Sequence, residues 1–115
     1  MKVLLVDDDP NFALAARELM ERLGHEIRIA GDGTEAFAMM REEAPDVVVL
    51  DFRMPGFNGA QTASVLRNTV EGIKIIGISA HEDVETGWAD AFLRKDFLLD
   101  ELGPLLESFA TAPPS

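Results

Sequence analysis

The chain has 115 residues, 47% of them hydrophobic and 27% charged, with no cysteine and a formal net charge of −11. That length suits one domain, and the apolar content is too high for a disordered chain. The composition excludes disulfides, thiolate catalysis and cysteine-ligated zinc, and the acidity opposes sequence-independent binding to nucleic acid or an anionic membrane surface.

Val3, Leu4, Leu5 and Val6 form an apolar run without polar alternation, the pattern of a strand buried on both faces of a parallel sheet; Asp7, Asp8 and Asp9 end it. After Pro10, the residues Phe12, Ala15, Ala16, Leu19 and Leu23 recur at helical spacing, with Gly24 as the stop. Asp9 reads as the N-cap of that helix. Ile27 and Ile29 alternate with Glu26 and Arg28, as in a half-exposed edge strand, and Gly31-Asp32-Gly33 turns the chain into a helix carrying Ala36, Phe37 and Met40 that Pro45 closes. Val47, Val48, Val49 and Leu50 repeat the fully apolar pattern and end on Asp51, and a Met54-Pro55-Gly56 loop follows.

A third helix is predicted from about Gly59 to Thr69, then an apolar strand from Ile73 to Ile78 that ends at Ser79. Ala91-Phe92-Leu93 is a short fifth strand with Lys95 just beyond it. Gly103-Pro104 falls where the last helix should be propagating, which predicts a kink or a late start. The Ala-Thr-Ala-Pro-Pro-Ser ending reads as a tail or the start of a linker, so the domain is placed at 1–110 and the tail at 111–115. No apolar run reaches the roughly 18 residues that span a bilayer, and no signal-peptide pattern opens the chain, so a cytoplasmic location without membrane contact is expected.

Strands alternating with helices imply right-handed crossovers and a parallel α/β sheet covered on both faces. Such sheets hold ligands beyond the carboxyl ends of their strands, where Asp7, Asp8, Asp51, Ser79 and Lys95 should converge. Converging carboxylates repel one another, and a hard divalent cation that prefers oxygen ligands, Mg²⁺ first, relieves the repulsion. Asp51 would then be placed to attack phosphorus as a nucleophile, with the Lys95 ammonium opposing the charge of the phosphoryl group and Ser79 donating to one of its oxygens.

Val6-Asp7-Asp8-Asp9-Pro10, Asp51-Phe52-Arg53-Met54-Pro55-Gly56 with Asn58-Gly59, Ile78-Ser79-Ala80 and Phe92-Leu93-Arg94-Lys95 resemble, in order and spacing, the receiver domain of two-component response regulators. The resemblance implies a flavodoxin-like doubly wound sheet of five parallel strands in the order 2-1-3-4-5. It implies that Asp51 accepts a phosphoryl group from a histidine kinase or phosphotransfer protein, and that the domain is a signalling switch rather than an enzyme acting on a separate substrate. Asp8 would bind Mg²⁺ directly and Asp7 largely through water, with Asp51 and the Arg53 backbone carbonyl as further ligands. The Arg53 side chain and His81 would occupy positions that tune phosphate lifetime, and Phe92 would be the aromatic that repacks as Ser79 shifts toward the phosphate.

Two departures stand out. Only residues 80–90 separate Ser79 from the fifth strand, so the family's fourth helix should be short or absent, and dimerisation through the usual face of fourth helix, fifth strand and fifth helix is not expected. Asp96 follows Lys95 where many relatives have proline in a cis peptide; a cis bond is not expected here, since it costs about 2.5 to 4 kcal/mol without proline. Two rival readings remain. One is a pseudo-receiver that binds partners without phosphorylation. The other is a metal-dependent phosphatase with an aspartyl intermediate, disfavoured because Arg53 stands where such enzymes place a second aspartate.

Overall fold

The computed structural model describes residues 1–51, 59–79, 89–94 and 98–111. In chain order they form β1 (Lys2–Val6), α1 (Pro10–Arg22), β2 (Glu26–Ala30), α2 (Gly33–Glu42), β3 (Val47–Asp51), α3 (Gly59–Thr69), β4 (Lys74–Ser79), β5 (Ala91–Arg94) and α4 (Leu98–Thr111). The five strands make one parallel sheet in the order β2-β1-β3-β4-β5, the flavodoxin-like arrangement that the sequence resemblance implies.

Alternation along the strands sends side chains to two layers. Val3, Leu5, Val47, Val49, Ile76 and Ile78 pack on one face against Ala13, Ala16 and Met20 of α1 and Leu102 and Leu106 of α4. On the other face Leu4, Val6, Val48, Leu50 and Ile75 pack against Ala36 and Met40 of α2 and Ala63 and Leu66 of α3. Burial on both faces is why β1 and β3 read as unbroken apolar runs.

Helix ends are satisfied locally. Asp9 Oδ1 accepts from the N–H groups of Asn11 (3.1 Å) and Phe12 (3.3 Å), and Asp32 Oδ1 accepts from Glu35 N–H (2.7 Å). Gly24, at φ 89°, provides the left-handed residue that ends α1. At the far end of α2 the Arg28 guanidinium, reaching over from β2, donates to the carbonyls of Met39 (3.2 Å) and Glu43 (2.6 Å).

Of the kink or late start expected for the last helix, the late start is not seen. The helix begins at Leu98, soon after β5, and includes Pro104, whose missing N–H removes the bond to the Asp100 carbonyl. A proline there costs on the order of 3 kcal/mol, which burial of Leu102 and Leu106, at about 1.5 to 3 kcal/mol each, offsets. A Cβ at Gly103 would lie 2.8 Å from Cδ1 of Leu23, an exposed side chain whose flexible end can yield.

Between Ser79 and Ala91 the described part is 89–90. Asp90 anchors the return to the sheet: its N–H donates to Ile75 O (2.8 Å), and its Oδ2 accepts from Ile75 N–H (2.8 Å) and Arg67 Nη2 (3.3 Å). The short or absent fourth helix expected between Ser79 and Ala91 falls on residues 80–88, outside the described residues. Among the described residues no helix is long and apolar enough to cross a membrane.

Candidate functional site

The site follows from the register of two adjacent central strands. Val6 of β1 pairs with Leu50 of β3, so Asp7 and Asp51, each one residue further on, leave the sheet side by side at its carboxyl edge. Asp7 N–H donates to Ala30 O (3.0 Å), which carries the β1–β2 ladder one step past the strand. Asp7 Oδ1 accepts from Asp9 N–H (2.9 Å), a local turn that holds the carboxylate in place while Asp9 caps α1. Asp7 is 2% exposed and Asp51 4%, whereas Asp8 faces solvent.

One carboxylate oxygen from each of Asp7, Asp8 and Asp51 lies within 4.8 Å of the others. Two ionised carboxylates at such a separation repel by on the order of 3 kcal/mol in a partly buried setting. Asp9, the remaining aspartate of the run, is spent on the helix cap and is absent from this cluster.

The donor set fits a hard divalent cation. It offers only oxygens, two of its carboxylates are buried like charges, and the third is exposed and so gives an ion access from water. A soft metal that selects thiolate or imidazole finds no such ligand in this cluster.

Of the other residues predicted from sequence, Ser79 ends β4 one position beyond Ile78, the register partner of Asp51. Phe92 is half-buried in β5 and pairs with Gly77. Arg53, His81 and Lys95 lie outside the described residues, as does Asp96. The Asp90 anchor had no signal in the sequence, because its partners Arg67 and Ile75 are remote in the chain and no local pattern marks it.

Three groups with displaced pKa values, Lys2, His25 and Glu43, lie at the opposite, amino-terminal end of the sheet. Hydrogen bonding to Glu43 raises Lys2, and the same contact, a 3.0 Å ion pair, lowers Glu43. Burial, aided by the nearby N-terminal amine, pushes His25 down.

A family model described as the response regulator receiver domain matches residues 3–106. Response regulator MprA of Mycobacterium leprae is 33% identical over 108 residues, covering 89% of this chain and 47% of that protein. The DNA-binding response regulator MtrA of Mycolicibacterium smegmatis is 35% identical over 108 residues, covering 88% and 46%. The chain thus spans about half the length of the curated relatives it matches. Among solved structures, the response regulator TrrA of Thermotoga maritima in complex with Mg²⁺-BeF superposes with a TM-score of 0.82 at 32% identity, over 93% of this chain and 96% of that one. A CheY-like response regulator receiver domain from Methylobacillus flagellatus gives 0.85 at 26% identity, over 94% and 97%.

Proposed function

This chain belongs to the response regulator receiver domain family, and on that premise we propose that Asp51 is its phosphoacceptor, loaded from the phosphohistidine of a histidine kinase or phosphotransfer protein. The observation that carries the reading is the meeting of Asp7, Asp8 and Asp51 within 4.8 Å at the end of the central strand. A carboxylate at that place is a ready nucleophile without a general base. An Asp51 carboxylate oxygen forms the new bond to phosphorus while the P–N bond of the donor breaks, and the electron pair leaves with the imidazole, which takes a proton.

Asp8 would hold Mg²⁺ directly and Asp7 largely through water, with Asp51 and the Arg53 backbone carbonyl completing the protein's share of ligands. When bound, the ion supplies neutralisation of the charge that builds on the phosphoryl oxygens. The Lys95 ammonium and Ser79 hydroxyl would meet those oxygens, and the Arg53 side chain and His81 would set how readily water reaches the acyl phosphate. Phe92 would report the change at the surface. Its half-burial in the edge strand β5, opposite a residue without a side chain, supports that role.

Addition of Mg²⁺ with acetyl phosphate or beryllofluoride should change the spectrum of the protein, and Asp51→Asn should abolish the change. A silent wild type would overturn the reading. The short connection between Ser79 and Ala91 favours one alternative, an interaction module that works without phosphorylation and does not dimerise through the usual face of the family. Partner binding that is indifferent to Asp51→Asn would establish that alternative instead.

A further inference from the structure

β5 has little of its own to fix its position along β4. It has four residues, all half-buried, and as the last strand of the sheet it pairs on one side only. Ala91 and Leu93 pack against the core layer over α1 and α4. Apolar contact is non-directional, so it fixes the face of the strand more firmly than its position along its neighbour.

Asp90 marks that position. It stands one step before the first ladder pair, Ile76 with Ala91, and it takes both backbone groups of Ile75: its N–H donates to the carbonyl (2.8 Å) and its Oδ2 accepts from the N–H (2.8 Å). The carboxylate plays the part of a strand carbonyl, and the same oxygen accepts from Arg67 Nη2 of α3 (3.3 Å). Two short bonds to one backbone unit set the register to a single residue. Ile75 is a firm reference, since it is fully buried and pairs with Val48 of β3, the strand that ends on Asp51. With Asp90 on Ile75, Arg94 falls opposite Ser79, one step past Ile78, the partner of Asp51. Lys95 is the next residue of the chain.

We propose that Asp90 is a positioning residue for phosphoryl transfer: by pinning the register of β5 on β4, it decides where the end of β5 meets the phosphoryl group. This rests on the reading of Asp51 as phosphoacceptor with Lys95 as the cation that opposes its charge. Asp90 is too distant to act on that group by its own charge. Four rises of about 3.3 Å separate it from Arg94, roughly 13 Å, which exceeds the screening length of about 8 to 10 Å. Whatever field survives repels an anion, so loss of the charge alone leaves phosphoryl binding unchanged or slightly tighter. Loss of the pin acts the other way, because an error of about 1 Å in the placement of an acting group can cost on the order of a hundredfold. The three carboxylates belong to the β1–β3 seam, so affinity for the metal ion is independent of the pin.

The test is to titrate Mg²⁺ alone, and beryllofluoride at saturating Mg²⁺, into the wild type, Asp90→Ala, Asp90→Asn, Lys95→Ala and the double variant Asp90→Ala with Lys95→Ala. Asp90→Ala should bind beryllofluoride about tenfold more weakly while its Mg²⁺ affinity stays within about twofold of the wild type. Asp90→Asn loses the charge but keeps an oxygen for the Ile75 N–H, and it should stay near the wild type in both. In the Lys95→Ala background, Asp90→Ala should add nothing. Unchanged or tighter beryllofluoride binding in Asp90→Ala, equal losses for both ligands, Asp90→Asn as weak as Asp90→Ala, or full additivity with Lys95→Ala would overturn the proposal while leaving Asp51 in place. A wild type that ignores beryllofluoride would overturn the phosphoacceptor reading and this inference with it. Asp90→Glu, which keeps the charge but displaces the acceptor by one methylene, replaces Asp90→Ala with the same expected result if that variant loses the wild-type circular dichroism spectrum.

Discussion

The β1–β3 seam and the β4–β5 edge are built from the same parallel ladder, yet they differ in almost every physical respect. From Val3 onward the seam is buried at each position on both strands, and it delivers two buried aspartates side by side. The edge strand β5 has four residues, all of them half-buried, and is held at its entry by one aspartate bridging β4 and α3. The nucleophile proposed at Asp51 would need fixed surroundings, and burial along the seam favours them. A surface that changes with the state of the site needs a part of low local stability, and the edge is the better candidate.

The largest effect should come from hollowing the seam. Leu4→Ala, at a fully buried position, is expected to cost about 2 to 5 kcal/mol, whereas Leu93→Ala in the half-buried edge strand should cost clearly less. Urea unfolding of both variants reads the contrast directly, and equal losses would break it. Next in size, Asp90→Ala removes the acceptor of Ile75 N–H and Arg67 and should cost about 1 to 3 kcal/mol. Hydrogen exchange should then rise in β5 and at Ile75 but not in β1 or β3. Asp9→Ala, which removes the cap of α1, should cost about 1 kcal/mol in thermal unfolding.

The smallest effect concerns pH. His25 titrates below its ordinary value of 6.5 in the folded state because burial disfavours its charge. The unfolded chain therefore binds the proton more readily, so stability is unaffected above pH 6.5, declines as pH falls through that value and stops declining below the lowered folded one. His25→Gln should flatten that part of the stability profile while leaving any beryllofluoride response intact, since the residue lies at the other end of the sheet.

The same contrast explains what could be read from sequence. β1 and β3 announce themselves because burial on both faces demands unbroken apolar runs, and their ends mark Asp7, Asp8 and Asp51 without any structure. Asp9 as a cap was equally legible, since an aspartate just before Pro10 has a local reason to be there. The start and continuity of α4 were not, because Gly103 and Pro104 oppose a helix locally while burial of Leu102 and Leu106 favours it through tertiary contact. The Asp90 anchor escaped for the same reason: its partners come from a different helix and a different strand. Ser79 was singled out by its strand-end position and Phe92 by family resemblance alone, and the ladder adds their register with Arg94 and Gly77.

The most direct test of the central claim is the intact mass of the protein after incubation with acetyl phosphate and Mg²⁺. The account predicts a single phosphoryl adduct that hydroxylamine removes, as it does from an acyl phosphate, and that Asp51→Asn does not acquire. An adduct that persists in Asp51→Asn, or none on a wild type shown to bind Mg²⁺ under the same conditions, would contradict it.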